Sequence, residues 1–366
     1  PFCDHKCIYC DFYSIITKDN INPFLSAIKD EIRYYSGSYK EDWAFFSIFF
    51  GGGTPSLMQP EYIGGIITEL KNNYNILPEA ELTLETNPGT VNRDKLEAFK
   101  SEGINRISIG IQSFDDKDLS FLTRIHDRQT AIDTVDNAKN AGFNNISIDL
   151  IFNLPGQTKE KWLKNLQEAV KLPIQHISAY SLILERGTIL NKLVLDGKVT
   201  IQDEDYDAEL YQVTIEFLKS EGFVQYEVSN FARPGFESRH NNAYWRYNDY
   251  LSFGPSAHSF MNDKRWWNFS SLKQYINEIN KNGHAVSGNE LITPEQKLEE
   301  YIMLALRSKG IDTRELRELF GNEWLINYKD YFKELEKEGF VNINENLISL
   351  TGSGYAVCDE ILSKIL

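Results

Sequence analysis

The chain has 366 residues, more than one ordinary core requires, so its length predicts a large α/β domain with a smaller appendage. Its 38 basic and 53 acidic residues leave a net charge of −15, which argues against an electrostatic footprint for nucleic acid. No apolar run approaches the roughly 20 residues needed to cross a bilayer, no signal peptide is visible, and the four cysteines form no disulfide framework, all of which fits a reducing cytoplasm.

The first ten residues hold Cys3, Cys7 and Cys10 in the spacing C-x3-C-x2-C. Three clustered thiolates suit a cubane [4Fe-4S] cluster, which has four irons to ligate and would keep one open to an exchangeable ligand. On the residues alone, a zinc site completed by His5 and a set of free thiols remain alternatives. Against zinc, His5 is cramped between Cys3 and Cys7, and no second cysteine pair follows. Beyond this loop, short β-branched runs alternate with amphipathic stretches. That rhythm predicts parallel strands with crossover helices closing towards a barrel. The predicted strands are Ala44–Phe50, Glu81–Thr86, Arg106–Gln112, Asn145–Phe152, His176–Leu184 and Val224–Asn230. The predicted helices between them are Pro60–Tyr74, Arg93–Glu102, Gln129–Ala141, Lys159–Lys171 and Asp205–Glu221.

Polar residues gather at the C-terminal strand ends, where such folds place functional groups. The first strand runs into Gly51, Gly52, Gly53 and Thr54. Without Cβ atoms its backbone can approach a ligand directly, or simply make a tight turn. Further along stand Glu85 in Leu84-Glu-Thr-Asn-Pro-Gly89, Gln112 in Ile109-Gly-Ile-Gln-Ser-Phe114, Arg124 in Leu122-Thr-Arg-Ile-His126 and Asp149 in Ile148-Asp-Leu-Ile-Phe-Asn-Leu-Pro-Gly156. Any one of these alone reads as a helix cap or a solvated charge.

Taken together, the cysteine loop, Ser47-Ile-Phe-Phe-Gly-Gly-Gly-Thr-Pro-Ser56 and the strand-end motifs resemble the radical SAM superfamily, and within it the coproporphyrinogen III oxidase-like branch. The resemblance implies a partial (β/α)6 radical SAM barrel, with a [4Fe-4S] cluster on Cys3, Cys7 and Cys10 and S-adenosyl-L-methionine (SAM) chelating the open iron. It implies cofactor contacts for Gly52, Gly53 and Thr54, hydrogen bonds from Glu85, Gln112 and Asp149 to the ribose and amino-acid part of SAM, and an Arg124 pair with its carboxylate. It also implies a first strand ahead of the cysteine loop, which this sequence does not contain, and a glycine where Asn153 stands.

Two features sort the branch. Its oxidases carry a fourth cysteine two residues past the third, where this chain has Phe12. His240-Asn-Asn-Ala-Tyr-Trp245 resembles the H-N-x-x-Y-W signature of the branch's heme chaperones. The resemblance therefore implies heme binding at His240 and transfer of heme to a respiratory haem protein. The alternatives are an oxygen-independent coproporphyrinogen III oxidase, which decarboxylates two propionates, and a radical SAM enzyme acting on another tetrapyrrole. A neutral imidazole suits heme iron, Tyr244, Trp245 and Tyr247 would cover a porphyrin face, and Arg233, Arg239 and Arg246 would meet propionates. Apart from the family, a histidine beside aromatics is more often a packed core residue. His258 is a second ligand candidate, and His126, His176 and His284 read as structural or exposed.

From about residue 286 the rhythm gives way to helices. Thr293-Pro-Glu-Gln carries capping chemistry, with helices expected over Lys297–Ser308, Thr313–Phe320 and Trp324–Glu338. Gly339–Ile343 and Leu347–Thr351 then read as the hairpin of a winged-helix-like module. The chain's acidity favours a lid on the barrel or a partner surface over DNA binding, and Cys358 reads as a small hydrophobe. The expected division is a barrel over 1–235, a connecting segment over 236–285 and a C-terminal helical domain over 286–366. The expected partners are heme and its acceptor, with peripheral membrane contact and a homodimer both left open.

Overall fold

The computed structural model describes residues 1–17, 19–39 and 43–366. Five parallel strands, β1 (Ala44–Phe50), β2 (Asn75–Thr86), β3 (Arg106–Gln112), β4 (Ile146–Phe152) and β5 (His176–Ser181), pair in sequence order as a curled half barrel. The inner strands bury a face against helices; on β3, Ile107, Ile109 and Ile111 are fully inaccessible. The alternate face carries small or polar residues such as Ser108, because successive side chains on a strand point to opposite sides. The helices are α1 (Ile21–Tyr39), α2 (Pro60–Asn73), α3 (Arg93–Ser101), α4 (Asp116–Phe121), α5 (Arg128–Asn140), α6 (Lys159–Ala169), α7 (Ile189–Leu195) and α8 (Glu204–Ser220). Side chains cap several of their first turns: Asn92, Asp127, Thr158 and Asp203 each accept a backbone N–H.

The last strand departs from expectation. Val224–Asn230 is not one parallel strand; β6 (Val224–Gln225) and β7 (Asn230–Ala232) form a hairpin, and β7 runs antiparallel to β5. The cause is local. Buried Glu227 accepts the Ser229 N–H and the Asn230 amide, while the Tyr226 N–H donates to the Asn230 carbonyl, so the chain reverses between them. At the opposite end, β1 is the sheet's edge, and among the described residues its outer side pairs with no strand.

Beyond the hairpin, α9 (Arg239–Trp245) precedes a second sheet of β8 (His258–Met261), β9 (Lys264–Asn268) and β10 (Val286–Leu291), with α10 (Leu272–Asn282) between its last two strands. α10 packs on α1 around Glu31. This fully buried carboxyl on α1 accepts the Gly254 N–H at 2.8 Å, the Asn268 amide at 2.6 Å and the Tyr275 hydroxyl at 2.6 Å. The C-terminal helices open at α11 (Pro294–Leu306) with the expected capping box between Thr293 and Gln296. A second core follows, built by β11 (Ile311–Asp312), α12 (Thr313–Phe320), α13 (Glu323–Lys337), β12 (Val341–Asn344), β13 (Leu347–Leu350), α14 (Gly352–Ala356) and α15 (Cys358–Leu362). Cys358 is buried in it as a small hydrophobe.

Candidate functional site: cysteine loop, strand ends and cavity

The cysteine loop lies across the end of β1 and is fixed by backbone hydrogen bonds. Cys3 N–H donates to Ile15 O (3.0 Å), Ile15 N–H to Pro1 O (2.8 Å) and Thr54 N–H to Phe2 O (2.8 Å). The glycine strand makes this approach feasible. A Cβ on Gly53 would lie 2.7 Å from the Phe2 carbonyl oxygen, closer than real contacts allow, and Gly52 adopts φ +111°. Gly52 N–H donates to Glu85 Oε2 at 3.0 Å, which ties the glycine strand to β2.

The sulfurs of Cys3 and Cys7 each have a neighbour that can donate. The Thr54 hydroxyl lies 3.4 Å from Cys3 Sγ, and Arg124 Nη1 donates to Cys7 Sγ at 3.7 Å. Asn87 links the two: its amide donates to Thr54 Oγ1 (2.8 Å) and its Oδ1 accepts Arg124 Nη2 (2.6 Å). Asn87 stands within the Leu84–Gly89 motif, two residues from Glu85, but a lone amide carries no signal of such a bridge. All three thiols are free and half-buried, and burial pushes the Cys10 thiol up. Among the described residues, no three His, Cys, Asp or Glu side chains close around a single metal ion. His5, the fourth ligand of the zinc alternative, pairs with the Thr123 hydroxyl at 3.2 Å. Three thiols on one pinned loop, with a guanidinium beside one of them, form a donor set that fits an iron–sulfur cluster.

Glu85 and Asp149 bring two carboxyls towards each other at the strand ends. Burial, then the charge of Asp149, raises the Glu85 carboxyl to about 8, and burial raises Asp149 as well. Ser108 Oγ donates to Asp149 at 3.3 Å, yet among the described residues neither carboxyl forms an ion pair. Such groups fit a ligand that brings hydroxyl or ammonium donors. Gln112 ends β3 in a left-handed conformation (φ 70°) beside a register shift in the ladder. Arg124 is already committed to Asn87 and the Gly110 carbonyl (2.6 Å each), and among the described residues its buried Nε has no partner. Asn153, where the resemblance calls for glycine, also takes a positive φ (59°), a conformation that asparagine tolerates better than most residues.

A cavity of about 570 Å³ runs from Gly51–Thr54 along β1 to His240. That size falls within the range of roughly 300–1,000 Å³ typical of small-molecule sites. Its walls are mostly apolar, with Phe24, Ile28, Phe49 and Phe253 among the lining residues; Phe12, Glu85 and Tyr244 also face it. Segment 251–257 also lines it, held through Gly254 by Glu31. None of the C-terminal helices lines it, so they do not form the expected lid; they dock instead on α8 and α9. His240 Nδ1 lies 3.0 Å from Ser47 Oγ, and its ring stacks on Phe49. Burial, then the nearby Arg106 charge, lowers its pKa to about 4, so the imidazole is neutral.

Several candidates lie elsewhere. Tyr247 donates its hydroxyl to Glu300 on α11 (2.7 Å), because that carboxylate is anchored by Arg265. Arg239 donates to the Glu79 carbonyl (2.7 Å) and Arg233 lies over the Phe223 ring, so neither faces the cavity, and Arg246 is exposed outside it. His258 is exposed and stacks on Trp267 across the β8–β9 pair. His176 is fully buried between Ser147 and Tyr226, His126 pairs with the Ile111 carbonyl and His284 lies against Tyr34, all structural positions.

Comparisons with known proteins agree with this fold. The radical SAM superfamily domain matches residues 1–169, and the HemN C-terminal domain matches 292–357. These two matches define a radical SAM half barrel with an appended HemN-type unit. The heme chaperone HemW of Bacillus subtilis (strain 168) is 32% identical over all of this chain and 97% of its own length. Radical S-adenosyl methionine domain-containing protein 1, mitochondrial, of Danio rerio is 34% identical over all of this chain and 85% of its own. The solved structure of coproporphyrinogen III oxidase (HemN) from Escherichia coli superposes with a TM-score of 0.82, covering all of this chain and 88% of that one at 23% identity, a likeness of fold. The chain belongs to the HemN-like branch of the radical SAM superfamily, among the relatives of the HemW proteins.

Proposed function

We propose that this chain binds heme and passes it to a heme-accepting respiratory protein from a radical SAM scaffold in the cytoplasm. The observation that carries the reading is the position of His240, a neutral imidazole on the wall of a mostly apolar cavity that reaches Gly51–Thr54, beside the cysteine loop. A planar macrocycle suits such walls, and Tyr244 is the aromatic of the H-N-x-x-Y-W motif that faces it. In this reading Cys3, Cys7 and Cys10 hold the [4Fe-4S] cluster, and Glu85, Gln112, Asp149 and the Gly52–Thr54 backbone hold SAM. When bound, that pair would supply one-electron chemistry at the barrel mouth. Arg124 keeps positive charge beside the Cys7 sulfur, and the raised Glu85 carboxyl either keeps its proton and donates it in a hydrogen bond to a ligand acceptor, or loses it to solvent and as a carboxylate accepts from an incoming ammonium. Among the described residues no helix is long and apolar enough to cross a membrane.

The competing oxidase is disfavoured by Phe12, which replaces the fourth cysteine of the oxidase pattern and lines the cavity. The test is anaerobic titration of the reconstituted protein with heme, followed by incubation with SAM, reductant and coproporphyrinogen III. The expected result is saturable heme binding, weakened in His240→Ala with the cluster intact, and no decarboxylation. Conversion to protoporphyrinogen IX, or unchanged heme affinity in His240→Ala, overturns the reading.

A further inference from the structure

Resting on the assignment of His240 to heme, we propose that Ser47 is a positioning residue that holds the imidazole so that Nε2, and not Nδ1, is the nitrogen offered to iron. Ser47 Oγ lies 3.0 Å from Nδ1 and is the ring's only hydrogen-bond partner among the described residues. Two residues along β1 and on the same face, Phe49 stacks on the ring with centroids 4.8 Å apart and planes 17° apart. Tyr244 closes a further side edge-on, at 5.0 Å and 88°. The backbone of α9 is held as well. The carboxylate of Glu81 on β2 accepts the N–H of His240 at 3.1 Å and of Arg239 at 3.2 Å, with the Ser238 hydroxyl at 3.4 Å.

The chemistry then follows from the proton count. A neutral imidazole carries one N–H, so a nitrogen that ligates iron must leave that hydrogen on the other. Nδ1 faces a hydroxyl able to accept it, while Nε2 has no hydrogen-bond partner among the described residues and the histidine lines the cavity. Ser47 therefore selects the tautomer and orients the ring plane, and β1 supplies both the hydroxyl and the stacking surface. Partners of this kind behind a metal-bound histidine typically change affinity by about 10–100-fold when removed.

The test uses the full chain with ferric heme, comparing wild type, Ser47→Ala, Ser47→Thr and His240→Ala by absorption titration and by resonance Raman of the iron–imidazole bond. Ser47→Ala is expected to weaken binding by about 10–100-fold and to shift the iron–imidazole band, while Ser47→Thr, which keeps the hydroxyl, restores both. Nitrogen-15 NMR of the heme-free protein is expected to show His240 protonated at Nδ1 and to lose that preference in Ser47→Ala. If His240→Ala binds like wild type, the heme assignment itself falls. If His240→Ala is weak but Ser47→Ala keeps the wild-type affinity and band, only the role of Ser47 falls. Weaker binding in Ser47→Ala with an unmoved band marks a merely structural effect and overturns it equally.

Discussion

At Gly53 one missing methyl group decides whether the cysteine loop can lie on the end of β1. Its Cβ would fall 2.7 Å from Phe2 O and 3.0 Å from Phe2 N, backbone atoms that cannot swing aside. Gly53→Ala is therefore expected to displace the loop and to reconstitute with less iron per chain, measured by iron content and visible absorption. Cys7→Ser removes one thiol and its contact with Arg124, and is expected to abolish the iron–sulfur absorption altogether. The residues that announce themselves in the sequence are those whose type is costly elsewhere, such as three close cysteines, a glycine triplet or carboxyls at strand ends. Asn87, Ser47 and Glu81 are different. Each is a common residue on or next to a strand, and its role exists only through a partner at least 33 positions away. No spacing rule reveals such partners.

The helices and strands divide along a similar line. Strands with nearly continuous apolar runs read correctly, whether buried on both faces like β3 or half-buried at the sheet edge like β1: both match their predicted limits, Arg106–Gln112 and Ala44–Phe50. α1 stays hidden, with Pro23 near its start, Ser36-Gly37-Ser38 near its end and Glu31 in the middle of its buried face. α9 is a seven-residue helix whose Arg239 is followed by His240, Asn241 and Asn242, weak helix formers, so its first turn depends on Ser238 and Glu81. Glu31 shows what a buried carboxyl does for a neighbouring element. Burial raises it to about 7, against 4.5 for the free side chain, despite three donors. Its folded-state pKa lies above the unfolded value, so its stabilisation is complete below about pH 4.5 and is lost as pH rises through about 7. Glu31→Gln is expected to flatten that part of the stability profile, since Asn268 can turn its unpartnered Oδ1 towards the new amide. Glu31→Ala instead leaves three buried donors unmet and is expected to lower stability by about 3 kcal/mol or more, measured by denaturant unfolding.

Over the whole molecule the buried titrating groups act in two opposed sets. Glu31 and Glu227, raised to about 7, and Glu85, raised to about 8, hold protons that the unfolded chain has released, so they favour the acid side. His126 and His240, lowered to about 4, and His176, lowered further by complete burial, refuse protons that the unfolded chain takes up below 6.5, so they favour the alkaline side. These two sets roughly cancel between about pH 4.5 and 6.5; between about 6.5 and 8 the histidines no longer differ between the folded and unfolded chain, and the three carboxyls dominate. Melting temperature measured against pH in the cofactor-free protein is therefore expected to hold steady across the first interval and fall across the second. A rise towards pH 8 would contradict this assignment of charge.

One hydrogen bond described by neither set joins distant parts of the chain. The Tyr13 hydroxyl, just past the cysteines, accepts the N–H of Leu272 at the start of α10 (2.9 Å). From α10 the path continues through Tyr275 to Glu31 and on to Gly254 in the segment that lines the cavity. In the proposed cluster-bound state, exposure to air, which attacks thiol-bound iron first, is expected to be felt along this path as far as residues 251–257. Oxidised samples should be nicked by protease within residues 251–257 sooner than anaerobic ones, and bond cleavage there would serve as a clock for damage at the cysteines.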